Sequence, residues 1–159
     1  MNTKNNLNKV IITGGAGFIG SNLVKKLLEN GTEKILIIDD LSTGKLKNLE
    51  DFSNNKNIEI IKKRVEDIDN LNTMFEKFDF CFHLAAGVGV QYIMDNVSKA
   101  LLTNIEGTHI VIEACKENNV PLLITSTSEV YGVSQDEVWT EETKSLLGPP
   151  TKLRWSYAA

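Results

Sequence analysis

Cysteine, proline and aromatic residues are scarce in this chain. Its 159 residues include two cysteines and three prolines, and aromatic residues make up 7%. A disulfide-stapled domain needs more cysteine, and a disordered or collagen-like chain has fewer apolar residues than the 42% found here. A chain of this length buries a sizeable core but is too short for two domains of ordinary size. We therefore expect a single soluble globular domain.

Long apolar runs and an excess of positive charge are also missing. The longest apolar stretches, such as residues 78–86, have the length of a strand, whereas a membrane-spanning helix needs about 20 apolar residues. Residues 1–8 are polar and contain no signal-peptide core, so we expect a cytoplasmic protein. The formal net charge of −4 opposes binding to the phosphates of nucleic acids and anionic membranes. We expect neither as a partner.

The two cysteines lack the surroundings of a metal or redox site. Cys81 lies in an apolar run and Cys115 in a helical pattern. They form no CxxC pair, and no histidine stands at a ligand spacing from either of them. We expect two buried, reduced thiols and no bound metal.

Apolar runs of strand length alternate with helical patterns along the chain. The predicted strands are residues 9–13, 34–38, 58–61, 78–84 and 122–125. Strands that alternate with helices form parallel sheets with helices on both faces, because the crossovers are right-handed. The sequence therefore predicts an α/β fold, a doubly wound, Rossmann-like parallel sheet of about five strands.

The helical patterns fill the gaps between these strands. Helices are predicted from Phe18 to the Asn30-Gly31 stop, over residues 71–75, from Val97 to about Asn118-Asn119, and from Lys152 onward. One face of the long helix after residue 97 is predicted to comprise Val97, Leu101, Ile105, Thr108, Ile112 and Cys115.

A glycine-rich segment joins the first strand to the first helix. Residues 13–20 contain a GxGxxG pattern at Gly15, Gly17 and Gly20. Glycines permit a tight turn and let the backbone approach a pyrophosphate, while the helix N-terminus offers free N–H groups and the positive end of its dipole. The position between a strand and a helix favours a dinucleotide site over an ordinary glycine turn.

Carboxylates end the second strand and follow the third. Asp39 stands 19 positions after Gly20, where a carboxylate can accept hydrogen bonds from both ribose hydroxyls of an adenosine. It would repel a 2′-phosphate, so NAD is predicted rather than NADP, although Lys45 and Lys47 leave NADP open. Asp67-Ile68 follows the third strand, where the two residues could flank an adenine ring.

Hydroxyls and a carboxylate follow the fifth strand in the segment 126–132. The carboxyl edge of an open α/β sheet is where such folds place reacting groups. A segment rich in serine and threonine is equally common as a helix cap. Tyr157 supplies the further group that favours a catalytic interpretation.

Six segments together identify a family. They are TGGAGFIG from Thr13, DDLSTG from Asp39, HLAA from His83, TNIEGT from Thr103, STSEVYG from Ser126 and RWSYAA from Arg154. With these segments the whole chain resembles the extended short-chain dehydrogenases/reductases, in the NAD-dependent epimerase/dehydratase group that acts on nucleotide sugars.

This resemblance assigns roles to individual residues. It implies that Thr127, Ser128, Glu129 and Tyr157 are catalytic. It implies cofactor contacts for Gly14, Gly17, Phe18, Ile19, Gly20, Asp39, Leu41, Ser42, Thr43, Gly44, Asp67, Ile68, Leu84, Ala85, Ala86 and Asn104. The family's YxxxK motif would place its lysine four residues after Tyr157, beyond Ala159. The family also has a C-terminal substrate domain, so we expect residues 1–159 to be the NAD-binding domain of a homodimeric parent, truncated before the substrate domain.

The reaction implied by the resemblance is oxidation of a sugar hydroxyl at C4. The leading interpretation is an NAD-dependent epimerase acting on a UDP-sugar, in which the hydride returns to the keto sugar. UDP-glucuronate decarboxylase or a related dehydratase is the alternative, and Ser128-Glu129 looks like the decarboxylase pattern. Dehydratases of the group have Asp-Glu there, and serine is a weak proton donor.

Two interpretations from other classes stay open at this point. One is a non-catalytic fragment that binds NAD, which the missing lysine favours. The other is an NADPH-dependent reductase of small carbonyls, which Asp39 and the segment 126–132 disfavour.

Overall fold

Five parallel strands form a single sheet. The structure, a computed structural model, describes residues 7–52, 54–87, 97–133, 137–149, 151–152 and 155. The strands are β1 Lys9–Thr13, β2 Lys34–Ile38, β3 Ile58–Ile61, β4 Phe80–His83 and β5 Leu122–Ile124. They are hydrogen-bonded in the order β3-β2-β1-β4-β5, and all four pairings are parallel. The strand order reverses between β1 and β4, which is the point where folds of this kind bind ligands.

The helices differ more from the prediction than the strands do. They are α1 Phe18–Glu29, α2 Leu71–Phe75, α3 Val97–Leu102 and α4 Thr108–Glu117, with a π-helical segment Thr103–Gly107 between the last two. Short 3₁₀ helices cover Leu46–Phe52, Val65–Asp67 and Ser128–Tyr131. Strands β4 and β5 are shorter than predicted, by three residues and by one. The left-handed stop after α1 is present, since Gly31 has φ +87°.

Each face of the sheet is covered by its own core of buried apolar residues. Side chains alternate along each strand, so neighbours point to opposite faces. On one face, residues of β1 and β2 pack with α1; the buried set is Val10, Ile12, Ala16, Val24, Leu27, Ile35, Ile37 and Leu49. On the other face, the buried set that joins the strands to α2 and α4 includes Ile11, Leu36, Ile38, Phe75, Cys81, Val111 and Cys115. The predicted doubly wound parallel sheet is confirmed, and both cysteines are buried and free as predicted.

The predicted face of the long helix was wrong. Ile105 is 65% exposed and Ile112 is 39% exposed, whereas Cys115, which was predicted on the same face, is buried. The π-helical segment inserts an additional residue into a turn and so changes which side chains share a face. The buried positions are instead mostly small residues, Ala100, Gly107, Val111, Ala114 and Cys115. A Cβ at Gly107 would stand 3.4 Å from Val65, so small side chains permit the close approach.

The chain divides into two compact units. The first comprises Met1–Ala85 and Glu106–Ile124, and the second comprises Ala86–Ile105 and Thr125–Ala159. The sheet and the glycine-rich turn belong to the first unit, whereas α3 and the segment after β5 belong to the second. No helix in the described part of the chain is both long and apolar enough to cross a membrane.

Candidate functional site

The turn between β1 and α1 has contacts that only glycine allows. Gly14 has φ +73°, and a Cβ there would lie 2.7 Å from the backbone nitrogen of Ala85. A Cβ on Gly20 would lie 2.3 Å from the carbonyl oxygen of Gly14. The first glycine therefore lets the turn pack on the chain after β4, and the second lets α1 begin directly against the turn.

The N-terminus of α1 is open to a ligand. Gly17 is the N-cap residue, and none of the described side chains caps the helix there. The side chains of Phe18 and Ile19 are 83% and 64% exposed. A Cβ on Gly17 would meet the Gly14 carbonyl oxygen at 3.3 Å and otherwise point into space. The first-turn N–H groups and the positive end of the helix dipole can therefore receive an anionic group such as a pyrophosphate.

Asp39 holds this turn in place, a role that the sequence did not predict. Its buried carboxylate accepts the backbone N–H of Ala16 at 2.8 Å and that of Leu41 at 2.9 Å. Each carboxylate oxygen can accept a second hydrogen bond, so the carboxylate retains capacity for ribose hydroxyls. A Cβ on Gly44 would lie 2.8 Å from the Asp39 carboxylate, so this glycine allows the loop after β2 to close around it.

The same loop also holds the carbonyl of Ala16. This oxygen accepts the backbone N–H of Lys45 at 3.0 Å and the side-chain amide of Asn48 at 2.8 Å. Both backbone polar groups of Ala16 are therefore held by Asp39, the residue directly after β2, and by the loop that follows it. Asn48 was not predicted as a site residue, because it lies in a lysine- and asparagine-rich stretch that looks like ordinary surface.

The remaining predicted cofactor residues of the first unit follow the strands as expected. Ser42 and Thr43 are exposed in the loop after β2, where Asp40 accepts both the N–H and the hydroxyl of Ser42. Leu41 has φ +60°, a left-handed conformation that is strained for leucine. Asp67 is exposed and Ile68 is half-buried, and their N–H groups donate within their own turn, to the carbonyls of residues 64 and 65. Leu84 and Ala85 follow β4 beside Gly14.

A buried hydrogen-bonded group lies directly below the turn. His83 is 3% exposed. Its Nδ1 is 2.7 Å from the Thr13 hydroxyl, and its Nε2 is 3.0 Å from the Thr108 hydroxyl. The Thr13 oxygen also accepts the Ala85 N–H at 3.2 Å. Burial lowers the pKa of His83 to about 4, so the ring is neutral near pH 7.

In the second unit, Asn104 fixes the backbone of Gly87. Its side-chain oxygen accepts the Gly87 N–H at 2.7 Å, and its amide nitrogen donates to the Gly87 carbonyl at 3.3 Å. Asn104 lies in the π-helical segment, a kind of irregularity that is frequent at functional sites. Ala86, another predicted cofactor contact, directly precedes Gly87.

The segment after β5 forms a capped turn in the second unit. The Thr127 hydroxyl oxygen accepts the backbone N–H of Glu129 at 3.2 Å and so caps the helix Ser128–Tyr131. Ser128 is exposed and Glu129 half-buried. Gly132 then has φ +65°, and a Cβ there would lie 2.2 Å from the Leu146 carbonyl oxygen. Thr127, a predicted catalytic residue, therefore caps a helix in this structure. Tyr157, another predicted catalytic residue, lies outside the described residues.

Comparison with known proteins identifies the family. The family model described as GDP-mannose 4,6 dehydratase matches residues 11–159. The chain belongs to this family. The resemblance to extended short-chain dehydrogenases/reductases of the NAD-dependent epimerase/dehydratase group, predicted from six segments, is thereby confirmed.

Proteins similar to this chain have several different activities. The UDP-N-acetyl-alpha-D-glucosaminuronate decarboxylase of Bacillus cytotoxicus is 36% identical over 150 residues, which are 94% of this chain and 46% of that protein. The structure of UDP-N-acetylglucosamine 4-epimerase from Methanobrevibacter ruminantium in complex with UDP-N-acetylmuramic acid matches with TM-score 0.83 and 34% identity, over 95% of this chain and 47% of that one. The dTDP-glucose 4,6-dehydratase of Bacillus anthracis in complex with NAD matches with TM-score 0.76 and 29% identity, over 94% and 47%. The chain thus spans about half the length of each.

Proposed function

We propose that the chain binds NAD at the carboxyl edge of the sheet and is the cofactor-binding domain of an enzyme that oxidises a nucleotide sugar at C4. The observation that carries the proposal is the uncapped N-terminus of α1, next to a glycine turn whose Ala16 peptide is held by Asp39. The Bacillus anthracis dehydratase, a family relative with this fold, is in complex with NAD, which supports the choice of cofactor.

The residues of the first unit suit distinct parts of NAD. The pyrophosphate would bind the N–H groups of the first turn of α1, at Phe18 and Ile19. Asp39 would accept the adenosine ribose hydroxyls with its remaining lone pairs. A 2′-phosphate would bring two negative charges close to this buried carboxylate, so NAD is preferred over NADP. Asp67 and Ile68 would flank the adenine.

The reacting groups are Thr127 and Tyr157. The Thr127 oxygen accepts the Glu129 N–H, which leaves its own hydroxyl hydrogen for donation, and that hydrogen would bind the C4 oxygen of the sugar. Tyr157 would remove the proton of that hydroxyl, a step for which a phenol with a reference pKa of about 10 needs a nearby cation. Bound NAD would supply the hydride acceptor. Asn104 would keep the Gly87 backbone, and with it the chain after β4, in a fixed position.

For the whole enzyme we propose epimerisation of a UDP-sugar at C4. The Methanobrevibacter ruminantium relative is a 4-epimerase and its structure holds a UDP-sugar, which supports this assignment. Decarboxylation of a UDP-uronic acid is the second candidate. It is favoured by the Ser128-Glu129 pair and by the name of the Bacillus cytotoxicus relative. Both reactions begin with oxidation of the sugar at C4.

We also propose that the parent enzyme is a cytoplasmic homodimer. Ile112 is an exposed apolar side chain of α4, and a second copy would cover it. Light scattering of the complete enzyme tests this, since a change of Ile112 to lysine should shift a dimer toward monomer. A complete enzyme that is monomeric without the change would contradict it.

Calorimetric titration of the chain with NAD and with NADP tests the cofactor assignment. We expect saturable binding of NAD and binding of NADP that is at least about tenfold weaker, since placing like charges together costs several kcal/mol and about 1.4 kcal/mol is a tenfold change in affinity. Equal or tighter binding of NADP would overturn the assignment, and the absence of NAD binding would overturn the proposed function.

A further inference from the structure

Three elements meet at the buried ring of His83. His83 is the last residue of β4, Thr13 is the last residue of β1, and Thr108 is the first residue of α4. Hydrogen bonds join the two ring nitrogens to the two hydroxyls, at 2.7 Å for Thr13 and 3.0 Å for Thr108. Thr13 is the residue immediately before the glycine-rich turn, so the ring is connected to that turn through one side chain.

The hydrogen bonds of Thr13 determine where the ring carries its proton. Thr13 is fully buried, and its oxygen accepts the backbone N–H of Ala85 at 3.2 Å. A buried hydroxyl must also place its own hydrogen on an acceptor. In the described part of the chain, the only other hydrogen bond of this hydroxyl is with Nδ1 of His83. Nδ1 must therefore be the unprotonated nitrogen, and Nε2 carries the hydrogen and donates it to Thr108.

We infer that His83 is a positioning residue for the glycine-rich turn: as the neutral Nε2–H tautomer it orients the Thr13 hydroxyl, which in turn fastens the chain after β4 to the turn through Ala85. The contact that it maintains is a close one, because a Cβ on Gly14 would lie 2.7 Å from the same Ala85 nitrogen. Thr13 also accepts the Leu84 N–H with its carbonyl oxygen at 3.0 Å. Two successive N–H groups after β4 are thus bound to one residue of β1.

The charge of the ring matters, because a protonated histidine could not accept the hydrogen of the Thr13 hydroxyl. A proton on Nδ1 would face the hydrogen of Thr13 and remove its acceptor. The hydroxyl would then have to rotate away from the ring, and the hydrogen bond from Ala85 would weaken. Burial acts in the same direction, since it disfavours the charged ring.

Nitrogen-15 NMR of the imidazole rings in the cofactor-free chain tests the tautomer. We expect the spectrum of His83 to show a protonated Nε2 and an unprotonated Nδ1. The chain has one other histidine, so a His109→Gln variant assigns the signals. A His83 ring that is protonated on Nδ1 near pH 7 would overturn the inference.

Amide exchange of Ala85 tests the hydrogen-bond chain. Thr13→Val removes the hydroxyl at nearly constant shape, whereas Thr13→Ser retains it. We expect the Ala85 amide to exchange at least about tenfold faster in Thr13→Val than in Thr13→Ser, as for loss of one hydrogen bond. Equal protection in the two variants would show that the hydroxyl does not hold Ala85.

The link to the cofactor rests on the proposed function and has its own measurement. His83→Asn keeps an acceptor near the position of Nδ1, and His83→Leu does not. We expect NAD affinity measured by calorimetry to be retained in the first variant and to fall about tenfold or more in the second. Equal loss in both variants would contradict the positioning role. Failure of the unaltered chain to bind NAD would instead contradict the proposed function and leave the NMR and exchange results to decide the inference.

Discussion

The carboxylate of Asp39 accepts a hydrogen bond from the backbone N–H of Ala16, 23 residues earlier in the chain, at 2.8 Å. The residue at the end of β2 thus shapes the turn at the end of β1. A carboxylate in this position is expected to bind a ribose, yet its first function here is to fix the peptide that precedes the N-cap of α1. If NAD binds as proposed, cofactor preference and the geometry of the pyrophosphate site would therefore depend on the same side chain.

Replacing Asp39 with alanine should affect both stability and cofactor binding. The N–H groups of Ala16 and Leu41 would lose their acceptor, and the Ala16 N–H, whose hydrogen bond is buried, would be left unsatisfied at a cost of about 1–3 kcal/mol. We expect a lower urea midpoint in chemical unfolding. We also expect weaker NAD binding and a smaller difference between NAD and NADP by calorimetry.

Asp40 provides the matched control for this change. It is the adjacent aspartate, it is exposed, and it bonds to Ser42 within its own loop. Asp40→Ala should leave the unfolding midpoint and the cofactor preference close to their original values. If both alanine variants behaved alike, loss of one negative charge, rather than the contact with Ala16, would be the cause.

Substitutions at two glycines of the turn should affect stability and cofactor binding separately. A Cβ on Gly20 would lie 2.3 Å from the Gly14 carbonyl oxygen, so Gly20→Ala should lower the melting temperature strongly. A Cβ on Gly17 would meet the same oxygen at 3.3 Å, and its φ of −73° suits alanine. Gly17→Ala should therefore fold with little loss of stability but bind NAD at least about tenfold more weakly, because its methyl group enters the space for the pyrophosphate. Unchanged NAD affinity in Gly17→Ala would place the pyrophosphate elsewhere.

The features that the sequence predicts well are those with local causes. Apolar runs predict strands because burial on both faces of a parallel sheet needs continuous apolar sequence. The turn at Gly14–Gly20 and the stop of α1 at Gly31 can be predicted because they need backbone conformations that glycine adopts readily. The sheet and the turn were therefore predicted almost as they occur.

The features that were missed depend on contacts between distant residues. Asn48 holds the Ala16 carbonyl across 32 positions of the chain, and nothing in its neighbourhood distinguishes it from surface asparagines. The exposure of Ile105 and Ile112 depends on a π-helical turn, whose extra residue leaves no mark in the apolar pattern. His83 and Thr13 are 70 positions apart, and only the pairing of β1 with β4 makes them partners.

The folded state should lose stability as the pH falls below about 6.5, the reference pKa of an unfolded histidine. Burial lowers the pKa of His83 to about 4 in the folded chain, so the unfolded chain binds a proton that the folded chain does not. This contribution is present in full above pH 6.5 and is lost as the pH falls toward 4. It amounts to about 3 kcal/mol, from 1.36 kcal/mol per pKa unit.

The His83→Asn variant isolates this contribution. It lacks the titrating ring, while its carboxylates are those of the unaltered chain. The difference in free energy of unfolding between the two proteins, measured by urea titration from pH 7 to pH 4, should therefore change in favour of the variant by a few kcal/mol. A difference that is constant over this range would show that the ring is not held neutral by burial.

Strand β5 should make the isolated chain prone to associate. It lies at the edge of the described sheet, and its residues Leu123 and Ile124 are exposed apolar side chains. Edge strands with exposed apolar residues pair with other chains. Leu123→Lys should reduce association in light scattering, whereas Val138→Lys, which changes an equally apolar exposed residue outside the sheet, should not. Equal effects would indicate a general effect of charge.

The identity of Ser128 should exclude one reaction of the family. A 4,6-dehydration needs an acid that protonates the departing C6 hydroxyl, and a serine hydroxyl is a far weaker proton donor than a carboxylic acid. Ser128 is exposed in the capped turn after Thr127, and its neighbour Glu129 is half-buried. We expect a chimera that joins residues 1–159 to the C-terminal half of the Bacillus cytotoxicus relative to convert UDP-glucose or UDP-glucuronate, and to form no 4-keto-6-deoxy sugar from dTDP-glucose. Product analysis by mass spectrometry distinguishes an epimer from a decarboxylated sugar, and Ser128→Asp in the same chimera serves as the matched variant. A 4-keto-6-deoxy sugar as the main product of the unaltered chimera would show that serine suffices for dehydration and that the assignment of this turn is wrong.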